Sequence, residues 1–168
     1  SWRLFKALAA KGHFELAIAD LTDPRALAAA LEPAPKLVWI ETPSNPLLRI
    51  TDLRFVIDAA HRAGALALVD NTFLSPALQT PIDFGADLVL HSTTKYLNGH
   101  SDVVGGAVIA ARQDLHERLT WWANCIGVTG APFDSYLTLR GLRTLHARMR
   151  AHGENAAEVV RCLTAHPA

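Results

Sequence analysis

The sequence carries no net charge, few cysteines and no long hydrophobic run, and each absence excludes a class of protein. Its 168 residues include 16 basic and 16 acidic side chains, so we expect no basic surface for nucleic acid or anionic lipid. No apolar run approaches the roughly 20 residues of a membrane helix, and no signal peptide opens the chain. These features predict a cytoplasmic protein with no nucleic-acid or membrane partner.

Familiar binding motifs are also missing. Cys125 and Cys162 lie far apart in helix-like segments, which is more typical of reduced thiols than of a disulfide or a zinc site. His91 and His100 lack the i, i+4 spacing of helical metal ligands, so we predict no metal site. No GxGxxG follows a strand and no GxxxxGK[ST] occurs, so the usual signals for dinucleotide or P-loop binding are absent.

Alternating strand and helix patterns predict the fold. Half of the residues are hydrophobic, enough for about one domain with a buried core. Short apolar strands alternate with amphipathic helices that start at Asp23 and Asp52. This order predicts an α/β fold of three layers, a mainly parallel sheet flanked by helices. The predicted strands cover residues 14–19, 36–41, 66–70, 88–90 and 105–110, and the direction of the last, parallel or antiparallel, stays open.

The chain from Asp114 onward is predicted to be mostly helical. Trp121 and Trp122 are more typical of a core or subunit contact than of a cofactor platform. One further helix should carry Arg140, Arg143 and Arg148, whose side chains we interpret as a solvated or ion-paired face.

Three predicted strands end in polar residues, and the carboxyl ends of parallel strands form the usual ligand site of an open α/β sheet. The polar residues are Asn45, Asp70, and the group Ser92, Thr94 and Lys95. If the backbone stays extended past residue 92, Ser92 and Thr94 share one face, opposite Lys95. Alone, Lys95 is more typical of a surface turn, and Asp70 of a turn or a helix cap.

Together these side chains meet the chemical demands of pyridoxal phosphate. The cofactor needs a lysine amine for covalent attachment and an anion that keeps its pyridine nitrogen protonated. Hydroxyl groups can bind its phosphate, and an amide can bind its ring oxygen. Lys95, Asp70, Ser92 with Thr94, and Asn45 are the respective candidates.

Three segments carry a family resemblance: ETPSNP at 41–46, VDNTF at 69–73 and STTKYLNGHSDVVGG at 92–106. They resemble the Cys/Met-metabolism family of pyridoxal phosphate enzymes, which has the aspartate-aminotransferase-like fold (fold type I, here part of the large domain). The resemblance implies the following site. Lys95 resembles the catalytic, cofactor-attaching lysine, Asp70 the partner of the pyridine nitrogen, Ser92 and Thr94 the phosphate ligands, Asn45 the residue beside the ring oxygen, and Thr72 a further cofactor-binding residue.

The segment WWANCIGVTGAPFDSYLTLRGLRTL at 121–145 is most similar to the branch of the family that makes cystathionine. It implies γ-replacement on an O-acylhomoserine, such as O-succinylhomoserine, with cysteine, a step of transsulfuration and methionine biosynthesis. It also implies a homotetramer that binds small amino-acid substrates. Two alternatives stay open: a lyase of the same family acting on cystathionine or methionine, and an inactive chain able only to fold or associate.

The ends of the sequence suggest a part of a longer protein. Ser1 is not an initiator methionine, and a helical pattern begins at once. We predict a partial cofactor-binding large domain over residues 1–150 and the start of a linker helix over 151–168. The resemblance implies that a Tyr-Gly-Gly loop lies upstream and a domain with a carboxylate-binding arginine downstream. The linker helix, Glu154 to Leu163, should leave apolar surface uncovered where it is cut short.

Overall fold

A computed structural model describes residues 2–167 and contains a four-stranded sheet. The strands are β1 (Leu37–Glu41), β2 (Leu66–Asp70), β3 (Leu88–Ser92) and β4 (Gly106–Ala110), adjacent in that order. β1, β2 and β3 run parallel, and β4 runs antiparallel to β3. The predicted mainly parallel sheet is confirmed, and the last strand, whose direction the sequence left open, is antiparallel.

Seven α-helices accompany the sheet in the described residues. They are α1 (Trp2–Ala10), α2 (Pro24–Leu31), α3 (Leu53–Arg62), α4 (Ser75–Leu78), α5 (Gln113–Ile126), α6 (Pro132–Leu142) and α7 (Leu145–Thr164). The helices α2 and α3 begin where their capping residues, Asp23 and Asp52, predicted a helix start. Asp23 accepts a hydrogen bond from the Arg25 amide at 2.9 Å, and Asp52 accepts one from the Phe55 amide at 3.0 Å, so each carboxylate satisfies an amide with no partner in the helix.

Helices cover both faces of the sheet, as the predicted three layers require. On one face, Leu27 of α2 and Val56 and Ile57 of α3 pack with Ile40 and Val69 of the strands. On the other face, Leu115 of α5 packs with Leu68 and Leu88. Full burial of a Val, Leu or Ile side chain stabilises a fold by ~1.5–3 kcal/mol, so these two clusters hold the strand ends in place.

The predicted strand at residues 14–19 is wrong. The segment forms no sheet pairing with any described residue, and Phe14 and Ile18 are exposed. Phe14 instead contacts Phe5 of α1, whose ring lies edge-on to Trp39 at 4.9 Å. Alternating apolar residues form a strand only where a neighbouring strand can pair with them.

The sequence predicted one helix carrying Arg140, Arg143 and Arg148, but the structure has two helices in this segment. α6 ends at Leu142 and α7 begins at Leu145, and the Thr144 hydroxyl donates to the Gly141 carbonyl at 3.1 Å. No proline marks this break, so the sequence pattern did not reveal it. α7 then runs without interruption through residue 150, where we placed a domain boundary; that division stays a prediction.

Several large apolar side chains remain exposed. Trp121 and Trp122 are 60% and 57% exposed, so their interpretation as core residues is wrong for the described part of the chain, and subunit contact stays a prediction. Val159, Val160 and Leu163 of α7 are also exposed, which confirms the predicted uncovered surface. Between residues 2 and 167, no helix combines the length and hydropathy needed to cross a membrane.

Candidate active site

Asp70 ends β2 with one carboxylate oxygen engaged and the other open. Its Oδ1 accepts hydrogen bonds from the amide and the hydroxyl of Thr72, at 3.1 and 2.6 Å. Its Oδ2 has no hydrogen-bond donor among residues 2–167. The residue is half-buried. Asp70 therefore closes a local turn and still offers one anionic oxygen at the carboxyl end of the sheet.

Thr72 connects the ends of two strands. Its hydroxyl donates to Asp70 and accepts a hydrogen bond from the Ser92 amide at 2.8 Å. Asp70, Thr72 and Ser92 thus form one continuous hydrogen-bonded chain from β2 to β3. Binding of a cofactor by Thr72 stays a prediction, and the contacts of its hydroxyl show that it positions Asp70 relative to Ser92.

Lys95 lies in a tight turn directly after β3. The strand ends at Ser92, and the turn is closed by backbone bonds from Lys95 to Ser92 at 3.2 Å, from Asn98 to Thr93 at 2.9 Å and from Gly99 to Lys95 at 2.8 Å. The backbone is therefore not extended past residue 92. Ser92 and Thr94 were expected to point to the same side of an extended strand. They do not share a strand face, because the strand ends at Ser92 and Thr94 lies in the turn.

The hydroxyl of Thr94 forms hydrogen bonds with Gly105, the residue just before β4. It accepts a hydrogen bond from the Gly105 amide at 3.0 Å and donates to the Gly105 carbonyl at 3.3 Å. A Cβ atom on Gly105 would lie 2.8 Å from the Thr93 hydroxyl. Glycine at 105 thus allows the close backbone approach that the Gly105–Gly106 pair suggested.

The polar segment after the lysine supports the turn. Asn98 is 1% exposed, and its Nδ2 donates to Asp102 at 2.6 Å. The amides of Asn98 and Gly99 close the turn around Lys95. Of the two interpretations of this segment, a support for the lysine's loop or a simple connection, the structure confirms the support.

A cleft of about 660 Å³ opens beside Lys95. Polar and aromatic groups share its wall, among them Lys95, Thr94, Phe73, Tyr96, Asp102 and His152. Asp70, Ser92 and Asn45 lie outside this lining. The volume lies within the range of ~300–1,000 Å³ typical of small-molecule sites.

Asn45 follows the end of β1 in an exposed loop. Its backbone amide donates to the Glu41 carboxylate at 3.1 Å, and Glu41 is the β1 residue paired with Asp70 of β2. The loop therefore starts beside Asp70. A contact between the Asn45 side chain and a cofactor stays a prediction.

His91 is a buried polar residue at this edge, which the sequence analysis considered only as a metal ligand. It is 4% exposed, and its Nδ1 has no hydrogen-bond partner among the described residues. Burial lowers the pKa of His91 below its ordinary value, whereas the Asp70 carboxylate and the Asn71 backbone act in the opposite direction. Burial thus favours the neutral form of the His91 ring, and no sequence signal separates this residue from an ordinary strand residue.

The residues present fit pyridoxal phosphate. An exposed lysine amine borders a cleft of suitable size, an aspartate offers an open oxygen, and hydroxyl and amide groups surround the turn. An α/β sheet with this set of groups at its carboxyl edge defines the class of enzymes that hold a pyridine cofactor through a lysine.

Comparison with known proteins identifies the family. The profile described as Cys/Met metabolism PLP-dependent enzyme matches residues 1–168, and the chain belongs to this family, whose cofactor is pyridoxal 5'-phosphate. The family resemblance and the fold class predicted from the motifs are thereby confirmed.

The similar proteins include both synthases and lyases. The chain is 57% identical over 167 residues to cystathionine gamma-synthase of Escherichia coli K12. This alignment covers 99% of the chain and 43% of that protein. It is 46% identical over 165 residues to cystathionine gamma-lyase of Dictyostelium discoideum, covering 98% and 43%. A crystal structure of cystathionine gamma synthase from Xanthomonas oryzae pv. oryzae, in complex with aminoacrylate and cysteine, superposes with a TM-score of 0.97 at 72% identity, covering 98% and 43%. The chain thus spans less than half the length of these relatives.

Proposed function

We propose that the protein catalyses γ-replacement on an O-acylhomoserine, with O-succinylhomoserine as the first choice, and joins it to cysteine to form cystathionine. The γ carbon–oxygen bond breaks, a carbon–sulfur bond forms, succinate leaves and the thiol proton is released. The observation that carries this proposal is the hydrogen-bonded chain from Asp70 through Thr72 to Ser92, three residues before Lys95. The 72% and 57% identities to proteins named as synthases support the synthase over the lyase.

The residues of the site divide the work. Pyridoxal phosphate, when bound, supplies an electron-accepting ring next to the α carbon of the substrate. Lys95 would hold the cofactor through its amine, and the same amine, when free, would be the base that takes the α proton and moves it along the substrate. The open oxygen of Asp70 supplies the negative charge that favours a protonated pyridine nitrogen.

The remaining candidates bind and orient. Ser92 and Thr94 supply hydroxyl groups for the phosphate, and the amide of Asn45 is assigned to the ring oxygen. Thr94 already exchanges hydrogen bonds with Gly105, so its hydroxyl would have to exchange the longer of them, at 3.3 Å, for one to the phosphate.

Borohydride reduction tests the site directly. Reduction of the protein with bound pyridoxal phosphate, followed by peptide mass mapping, should place a pyridoxyl adduct on Lys95. Lys95→Ala should abolish the adduct with little change in the unfolding transition, because the side chain is exposed. An adduct on another lysine of the wild-type protein contradicts the assignment.

A lyase of the same family is the second candidate, favoured by the 46% identity to the Dictyostelium enzyme. The full-length protein should be assayed with O-succinylhomoserine, with and without cysteine. The synthase proposal predicts cystathionine formation that depends on cysteine. Keto-acid release that is indifferent to cysteine, or cleavage of cystathionine, identifies a lyase instead.

A cytoplasmic location and a homotetramer belong to the same proposal. The exposed Trp121, Trp122 and Phe133 offer apolar surface suited to contacts between subunits. Both cysteines are exposed and free, which suits a reducing compartment. Light scattering on the full-length protein measures the number of subunits.

A further inference from the structure

The turn that carries Lys95 is held from outside by the junction between α6 and α7. The backbone bonds within residues 92–99 shape the turn, but they do not determine where it stands relative to β2 and Asp70. A catalytic amine must be placed to within a fraction of an ångström, since a misplacement of ~1 Å can cost ~10²-fold in rate. Contacts from the rest of the fold must therefore orient the turn.

Arg148 makes the most direct of these contacts. Its Nη1 donates to the carbonyl of Tyr96, the residue after Lys95, at 2.8 Å. Its Nη2 donates to the Gly141 carbonyl at 2.7 Å, and its Nε to the Thr144 hydroxyl at 3.1 Å. One planar guanidinium thus joins the end of α6, the start of α7 and the lysine turn, a geometry that the ammonium of a lysine cannot reproduce.

Two glycines let the junction approach the turn. A Cβ atom on Gly99 would lie 2.9 Å from Nη2 of Arg148 and closer still to Nη1. A Cβ atom on Gly141 would lie 2.6 Å from the Leu97 carbonyl. Because the guanidinium is fixed by three hydrogen bonds, it can move away from a side chain at 99 only by giving some of them up.

A small apolar cluster supports the same contact. Leu97, in the turn, packs with Leu145 and Met149 of α7, and all three are buried. The turn therefore rests on α7 through Leu97 and is oriented by Arg148 through the Tyr96 carbonyl.

We propose that Arg148 is a positioning residue that orients the Lys95 turn. Its guanidinium packs against the backbone of Gly99, where a side chain would displace it. This inference rests on the proposed role of Lys95 and extends it to a residue that does not line the cleft. A purely structural cap of α6 would affect stability alone. A positioning role also changes how Lys95 reacts.

The test compares Arg148→Met, Arg148→Lys and Gly99→Ala in the full-length protein with bound pyridoxal phosphate. Three quantities are measured well below each variant's unfolding transition: the fraction of Lys95 trapped by borohydride, kcat and KM. We expect Arg148→Met to lower kcat by about 10-fold or more with a smaller change in KM, and to lower the trapped fraction. Arg148→Lys should recover only part of the loss, because it keeps the charge but not the planar fork.

Matched controls separate this effect from general damage. Arg150, two residues further along α7, is exposed and makes no side-chain hydrogen bond in the described structure, so Arg150→Met should leave all three quantities unchanged. Gly64 has φ +77°, close to the +74° of Gly99, and a Cβ atom added to it would meet no other atom within 4 Å. Gly64→Ala therefore reports the effect of the left-handed backbone without a clash.

The double variant Gly99→Ala with Arg148→Met gives the sharpest outcome. If Gly99→Ala acts by displacing the guanidinium, it should lower kcat much less in the Arg148→Met background than in the wild type. Full additivity, or a loss of thermal stability in Arg148→Met with unchanged kcat and trapping, overturns the inference. A wild-type protein that is not trapped at Lys95 overturns the proposed function itself, and the two failures are thereby distinguished.

Discussion

Two aspartates at opposite ends of the sheet differ in how completely their carboxylates are hydrogen-bonded. Asp87 precedes β3 at the amino end and is 7% exposed. Its Oδ2 accepts a hydrogen bond from the Ala67 amide and lies 2.9 Å from Nε2 of His61, and its Oδ1 accepts one from Arg112 at 3.0 Å. Asp70 ends β2 at the carboxyl end, and only its Oδ1 is engaged.

The difference lies in the hydrogen bonds that each carboxylate leaves unmet. Both carboxylate oxygens of Asp87 have protein partners, and these partners link α3, β2 and the start of α5. At Asp70 one oxygen is open, so the charge is available to a ligand. The same kind of side chain is structural at the amino end of the sheet, and at the carboxyl end we propose that it serves a ligand.

Asp70→Asn should produce the largest effect, on catalysis, with little change in stability at neutral pH. Asparagine keeps an oxygen that can accept from Thr72, so we expect the free energy of unfolding to change by less than ~0.5 kcal/mol. Loss of the negative charge should lower kcat by roughly 10²–10³-fold, the range for removal of one electrostatic catalytic group. Steady-state kinetics and denaturant unfolding of the same preparation measure both quantities. Near-normal turnover would contradict the role assigned to Asp70.

Asp87→Ala should do the reverse and lower stability. The Ala67 amide would lose its acceptor in a buried position, at a cost of about 1–3 kcal/mol. The side chains of His61 and Arg112 are 42% and 51% exposed, so water can replace the carboxylate for them. Urea unfolding should show the loss, and Asp114→Ala, at an exposed carboxylate that also pairs with Arg112, should be nearly neutral. Equal effects of the two substitutions would remove the contrast between the amino and carboxyl ends.

Thr72→Val tests the connection between the two strand ends. Valine keeps the shape but removes the hydroxyl that links Asp70 with the Ser92 amide, and we expect a loss of about 1 kcal/mol in the free energy of unfolding. Thr72→Ser should retain most of the stability because it keeps the hydroxyl. If Thr72→Val is as stable as the wild type while Thr72→Ser is destabilised, packing of the methyl group rather than the hydrogen bonds explains the residue.

The smallest expected effect is a pH dependence of stability from His91. Its pKa in the folded state lies below its ordinary value of 6.5, chiefly because it is buried. The unfolded chain therefore binds a proton at this residue more readily, and stability should fall as the pH drops below about 6.5. His91→Gln should weaken that fall between about pH 7.5 and about pH 5.5. Asp70→Asn should steepen it, because the Asp70 charge favours the protonated histidine; unchanged slopes in both variants would contradict this account.

Local signals predicted those parts of the structure that depend on neighbouring residues. Asp52 and its helix, and the strands ending at Asp70 and near Ser92, follow from capping and apolar patterns that act within a few residues. The segment at 14–19 failed because a strand also needs a partner. The face assigned to Ser92 and Thr94 failed because the turn at Lys95 begins one residue after Ser92.

Arg148 was misread for a related reason. Its spacing with Arg140 and Arg143 on the sequence suggested one exposed helical face. In the structure the helix breaks at 143–144, and the Arg148 guanidinium reaches a carbonyl 52 residues away. A pattern of spacing along one segment carries no information about a partner so distant in the chain.

The sequence by itself determined the family, the cofactor class and the four strands of the sheet, because these depend on motifs and on periodicities of a few residues. Only the tertiary structure decided which oxygen of Asp70 is open, that Thr72 joins two strand ends, and that Arg148 holds the lysine turn. Each of these is a hydrogen bond, made or unmet, between groups that the folded backbone alone brings within about 3 Å or keeps apart.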